Sequence, residues 1–153
     1  MVRLPTKAQR LAMALSLLPM LLPTMAAALE YRSVNVAKAT LYDAPSAQGK
    51  KTLLLGQGYP VEIIVNLGDW LKVRDAQGTL SWVESKSLGN KRTVLIRSAA
   101  DLRQSADAAA NLLGRLDKDV VLDVLESPAN GWVKVKHRDG LTGYVQSTAV
   151  WGL

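Results

Sequence analysis

Gly68-Asp69-Trp70-Leu71-Lys72-Val73-Arg74 recurs 62 residues further on as Asn130-Gly131-Trp132-Val133-Lys134-Val135-Lys136. The same shift carries Gly78 onto Gly140, Trp82-Val83 onto Tyr144-Val145, Ser85 onto Ser147 and Leu88 onto Val150. Upstream, with one residue of slack, Val61-Glu62-Ile63 falls on Leu122-Asp123-Val124, and Leu41 and Leu55 fall on Leu102 and Leu116. Self-similarity at a fixed period marks a duplicated structural unit. Two such units are expected over residues 29–89 and 90–153, with Gly89-Asn90-Lys91-Arg92 as the joint.

Each unit is written in strands. Val61-Glu62-Ile63, Trp70 to Arg74 and Ser81 to Glu84 are short alternating runs bounded by Gly, Asn, Asp or Pro. Asp75-Ala76-Gln77-Gly78 and Arg138-Asp139-Gly140 are turn chemistry between such runs, so each predicts a hairpin. Leu102 to Leu113 is Ala-rich enough for a helix, but its counterpart Leu41 to Leu54 holds Pro45 and Gly49. Both stretches are therefore expected as loops. Several short strands without helical crossovers predict an all-β chain of two small barrels. Phe is absent, which leaves an aliphatic core. Leu55, Val61, Ile63, Leu71, Val73 and Val83 supply it in the first unit. Leu116, Leu122, Val124, Val133, Val135 and Val145 repeat it in the second. A unit of about 60 residues is marginal alone, so the two are expected to pack on each other.

The chain has 153 residues, 19 Lys+Arg, 13 Asp+Glu, one His and no Cys, for a net charge of +6. No disulfide framework, thiolate metal site or cysteine nucleophile is available. Residues 1–28 resemble an export signal: Arg3, Lys7 and Arg10, an apolar run from Leu11 to Leu22, then Met25-Ala26-Ala27-Ala28. The run is shorter than the roughly 20 residues of a membrane span, so no stable anchor is expected after cleavage. Removing those three cations halves the net charge of +6 to +3. The rest is mixed, as in Asp117-Lys118-Asp119, which is solvated-surface patterning and predicts no nucleic-acid partner.

Alternation also assigns faces. With Leu71, Val73 and Val83 inward, Trp70, Lys72, Arg74, Trp82 and Glu84 point outward. The second unit turns out Trp132, Lys134, Lys136, Tyr144 and Gln146. Aromatics beside basic groups suit a ligand with apolar and charged parts. Two roles fit such residues: closing a barrel end or the seam between units, and contacting a ligand. Trp151 is expected to staple the last strand down. His137 lies in a hairpin turn and is expected to be exposed; with one His and no Cys the usual zinc ligand set is missing. No Gly-x-Ser-x-Gly motif occurs. The carboxylates Asp117, Asp119, Glu62 and Asp123 are expected as surface charges. The expectation is a non-enzyme, with no cofactor and no metal.

Leu41-Tyr42-Asp43-Ala44-Pro45-Ser46, Gly68-Asp69-Trp70 with Val73, and Trp82-Val83 together resemble the bacterial SH3-like (SH3b) domain. The tandem layout, Pro60-Val61-Glu62-Ile63 and Trp151-Gly152 are similar to exported proteobacterial proteins with two such domains. Ser81 stands where Gly usually precedes the Trp, whereas Gly143 is kept before Tyr144. The resemblance implies two SH3-like barrels and binding of cell-wall peptide or glycan in the periplasm. An envelope protein as partner is the alternative. The candidate ligand-binding residues are Tyr42, Asp43, Trp70, Trp82, Trp132 and Tyr144.

Overall fold

The computed structural model describes residues 28–153; the export signal expected over residues 1–28 lies outside this range except for its last residue. The first unit contains β1 (Tyr31–Val34), β2 (Lys38–Tyr42), β3 (Lys51–Gly56), β4 (Pro60–Asn66), β5 (Trp70–Arg74), β6 (Leu80–Glu84) and β7 (Leu88–Gly89). The second contains β8 (Thr93–Ile96), β9 (Ala100–Arg103), β10 (Leu112–Leu116), β11 (Val121–Ala129), β12 (Trp132–Lys136), β13 (Thr142–Gln146) and β14 (Val150–Trp151). The first sheet runs β3-β2-β6-β5-β4-β1-β7, and the second repeats that order seven strands on, β10-β9-β13-β12-β11-β8-β14. The all-β expectation holds. Register repeats as well: Leu71 faces Val83 and Val133 faces Val145 across their ladders.

The aliphatic cores form as the alternation requires. Every strand of each sheet gives at least one buried side chain to one cluster, from Val34 to Leu88 and from Val94 to Val150. A seven-stranded sheet that buries residues from all its strands in one cluster must curl round it, which makes each unit a small barrel. Ile63 and Val124 are only partly buried, packing against the cores rather than within them. The stretches expected as loops are loops only in their middles. Leu41-Tyr42 ends β2, Lys51 to Leu54 lies in β3, Leu102-Arg103 ends β9 and Leu112-Leu113 opens β10. Pro45 and Gly49 act only within the turn, while Leu41 and Leu102, at 2% and 0% exposure, are drawn into the cores.

The barrels pack along one seam. All four residues of β8 are buried. Since alternate residues face opposite ways, β8 is covered on both sides. Thr93 Oγ1 donates to the Gly58 carbonyl at 2.6 Å, and Ser33 Oγ donates to the Lys91 carbonyl at 2.8 Å. The Tyr31 and Trp151 rings meet edge-on at 5.2 Å. Trp151 thus does more than hold the last strand: it joins the two barrels. Burial, and next the Glu62 carboxylate, raise the Tyr31 hydroxyl above its ordinary pKa of 10.0. Glu62 itself is buried and ion-paired with Arg74 at 3.1 Å. The surface-charge expectation fails for it because its strand runs beneath this seam.

Gly152 closes the seam at φ 113°, where an L side chain is strained. A Cβ there would lie 2.9 Å from the Thr93 carbonyl oxygen and 3.1 Å from Pro60 Cβ. Gly152→Ala is expected to cost about 2 kcal/mol and to loosen the docking of the barrels. Calorimetry checks this: one coupled unfolding transition should broaden or split into two. An unchanged transition would show that the seam carries no coupling.

Candidate functional site

On the outer face of the first barrel, β2, β5 and β6 bring three aromatics together. Tyr42 meets Trp70 edge-on at 5.4 Å, and Tyr42 lies opposite Trp82 where β2 pairs β6. Lys72, opposite Trp82 on the ladder, holds its ammonium 5.9 Å from that ring. Trp70, Trp82 and Tyr42 are each half-buried. The seam is made by Tyr31 and Trp151 instead, so these three rings remain on an accessible surface. Such a face offers flat apolar area rimmed by a cation and by Glu84, which lies opposite Trp70.

Asp43 has a different local part. Its Oδ1 accepts the Lys50 N–H at 2.8 Å, and its own N–H donates to the Lys50 carbonyl at 3.0 Å. The carboxylate therefore closes the loop between β2 and β3 that borders the aromatic face.

The second barrel keeps half of this arrangement. Lys134 sits 5.9 Å over Tyr144 as Lys72 does over Trp82. Its ammonium also donates to Glu126 at 2.7 Å. That bond, with the Glu126 charge, raises the Lys134 pKa above 10.5. Arg103 replaces Tyr42 at the position opposite Tyr144. Trp132, half-buried, lines a concavity of about 400 Å³ together with Arg103, Arg115, Asp101 and Gln146. Arg103 and Arg115 are absent from the sequence-derived candidates. The signal was present in the repeat, because a shift of 61 places them on Tyr42 and Leu54.

A second concavity, of about 860 Å³, opens between the barrels and is walled by Asn35, Lys91, Asp119, Asp123 and His137 among others. His137 is less exposed than a turn position implies: its side chain is 23% accessible, with Nδ1 2.9 Å from Asp139 Oδ1. The repeat explains this. In the first barrel the same place is held by Asp75, whose buried carboxylate accepts the N–H groups of Gln77 and Thr79 at 3.0 and 2.8 Å. In the second, Asp139 accepts the Leu141 N–H at 2.9 Å instead, which frees position 137 for an imidazole. That amide bond, then the His137 contact, hold the Asp139 carboxyl below 3.8. Its contribution to the turn is therefore present above the unfolded carboxylate pKa and lost as pH falls through the lower folded value.

A family model described as "Bacterial SH3 domain" matches residues 35–89, and a second model of the same description matches residues 98–150. Among solved structures, NlpC2 from Trichomonas vaginalis is similar at 14% identity and a TM-score of 0.38, covering 81% of this chain and 48% of that one. A NlpC/P60 family protein from Bacillus cereus is similar at 17% identity and a TM-score of 0.37, covering 80% of this chain and 56% of that one. The chain spans about half the length of these two structures. No curated protein matches it.

Proposed function

Since the chain belongs to the bacterial SH3 domain family, with two such domains in tandem, we propose that it is a non-catalytic binding module of the cell envelope that holds peptidoglycan. The observation that carries this is the accessible cluster of Tyr42, Trp70 and Trp82 beside Lys72. Aromatic planes with an adjacent cation suit a glycan face or peptide backbone bearing carboxylates. Export to the periplasm belongs to the same proposal and is supported by the cationic, apolar and small-residue order of residues 1–28. Amino-terminal sequencing of the protein from the periplasmic fraction should begin at Leu29.

Sedimentation with purified sacculi tests the binding. The protein is expected to co-sediment at physiological salt, and Trp70→Ala with Trp82→Ala should reduce retention about tenfold, since two stacked aromatics are lost. Absence of retention at low as well as physiological salt would overturn the proposal. One observation favours a protein partner instead: edge strand β3 exposes Leu53 at 41% and Leu54 at 59%, a surface open to strand addition. In that case a single stoichiometric protein should co-purify from envelope extract, and binding should be lost with Leu54→Lys rather than with the tryptophan pair.

A further inference from the structure

The two barrels present one scaffold under different charges. Thr40 lies opposite Leu54 on the first barrel, and Asp101 lies opposite Arg115 at the same place on the second. Trp70 lies opposite Glu84, whereas Trp132 lies opposite Gln146. With Arg103 in the place of Tyr42, an aromatic and acidic patch has become one that holds two guanidinium groups and a single carboxylate. The residues share a face, because Leu102 and Leu116 between and beside them point into the core.

Arg103 is already oriented. Its Nη2 donates to Asp101 Oδ2 at 2.8 Å and its Nη1 to the Ala110 carbonyl at 2.9 Å. Among the described residues no carboxylate lies within ion-pair distance of Arg115. One of the two cations is thus neutralised locally and the other is not, so these three groups carry one net positive charge. Besides these groups, Trp132 and Gln146, the lining of the 400 Å³ concavity consists of small side chains: Ser98, Ala99, Ala100, Ala108, Thr148 and Ala149.

We propose that this concavity binds the terminal carboxylate of a peptide whose last residue is alanine-sized. Arg115, with Arg103 beside it, takes the carboxylate; a planar fork matches a planar monoanion, and one net charge fits a carboxylate better than a doubly charged phosphate. The small alanine, serine and threonine side chains favour a terminal side chain of about a methyl group, with the Trp132 ring in the same concavity. The Gln146 amide offers both a donor and an acceptor to the preceding peptide group. This deepens the envelope-binding role and rests on it for the source of the peptide. It also assigns the two barrels different parts of a ligand, since the first barrel carries Glu84 where the second carries Gln146.

The test is titration of the protein with N-acetyl-Ala-Ala, as free acid and as carboxamide, in both L,L and D,D forms. Binding is followed by NMR at the Trp132 indole and Gln146 amide. The acid should shift these signals in a saturable way, and the amide should bind about tenfold more weakly, the loss expected when a charge-assisted hydrogen bond disappears. Arg115→Gln should erase the preference for the acid, Arg115→Lys should keep part of it, and N-acetyl-Ala-Leu should bind worse than N-acetyl-Ala-Ala. Arg115 is exposed, so neither variant threatens the fold. Equal affinity for acid and amide, shifts confined to the first barrel, or no response at millimolar acid would overturn the inference. Sacculus retention by the same protein separates the two proposals. Retention without acid preference sinks only the carboxylate site, and acid preference without retention sinks only the wall-binding role.

Discussion

Leu71→Ala is expected to destabilise the first barrel by about 3 kcal/mol. Leu71, the second residue of β5, is fully buried between Val83 on β6 and Asn66 on β4. Truncation removes most of an aliphatic side chain and leaves a cavity in a core of only nine buried residues. With so few neighbours to collapse into the gap, relaxation recovers little. The total stability of a unit of about 60 residues is on the order of 3–9 kcal/mol, so the loss takes a large share of it. Urea denaturation followed by tryptophan fluorescence should show a lower midpoint with the slope unchanged. Leu54→Ala, at 59% exposure, is the control and should stay within about 0.5 kcal/mol of wild type. A cost for Leu71→Ala no larger than the control's would show that the core is not where the sheet wraps.

Gly143→Ala is expected to cost about 3 kcal/mol in the second barrel, through a crowded contact rather than a void. A Cβ at 143 would lie 2.7 Å from the Arg103 carbonyl oxygen and 2.9 Å from Leu102 Cγ. The first obstacle is backbone and the second is a fully buried core side chain, so neither can swing away. β9 and β13 would have to separate where Tyr144 pairs Arg103. The first barrel carries Ser81 at the equivalent place, buried at 4% exposure, with its hydroxyl 3.4 Å from that of Thr52. There the strands already stand far enough apart for a Cβ. Ser81→Ala should therefore change stability by less than about 1 kcal/mol, since it gives up only a long hydroxyl contact. Chemical denaturation of both variants checks the contrast. Equal costs at the two positions would mean that the barrels share one β2–β6 spacing. The substitution at 143 also bears on the carboxylate site, because Arg103 sits on the strand that would move.

Much of the fold was legible because it depends on local alternation. Trp70 to Arg74 and Trp132 to Lys136 each bury the two valine or leucine positions and leave the others out. The period of two fixes that once the strand exists. The repeat then fixed how many times it happens. Half of the candidate site was legible for the same reason, since the outward direction of Trp70, Trp82, Trp132 and Tyr144 follows from the inward direction of their neighbours. The strand character of Leu41-Tyr42 and Leu102-Arg103 was not legible. Each stretch is short, with Pro45 and Gly49 or an alanine run close by, and only pairing with a distant strand makes it extended.

The sequence by itself determined that this protein is a duplicated all-β unit with an aliphatic core and an outward aromatic pair in each copy. Those properties follow from periodicity and from self-similarity, which are local or purely textual. Only the tertiary structure decided which aromatics remain accessible. It gives Tyr31 and Trp151 to the seam, leaves Trp70 and Trp82 on the outside, buries Glu62 and turns His137 toward the cleft. It also brought Arg103 and Arg115 to one concavity with Trp132. Strands far apart in the chain become neighbours when a sheet curls, and the company a side chain keeps on that curved face is set by register and barrel packing. No local pattern encodes either.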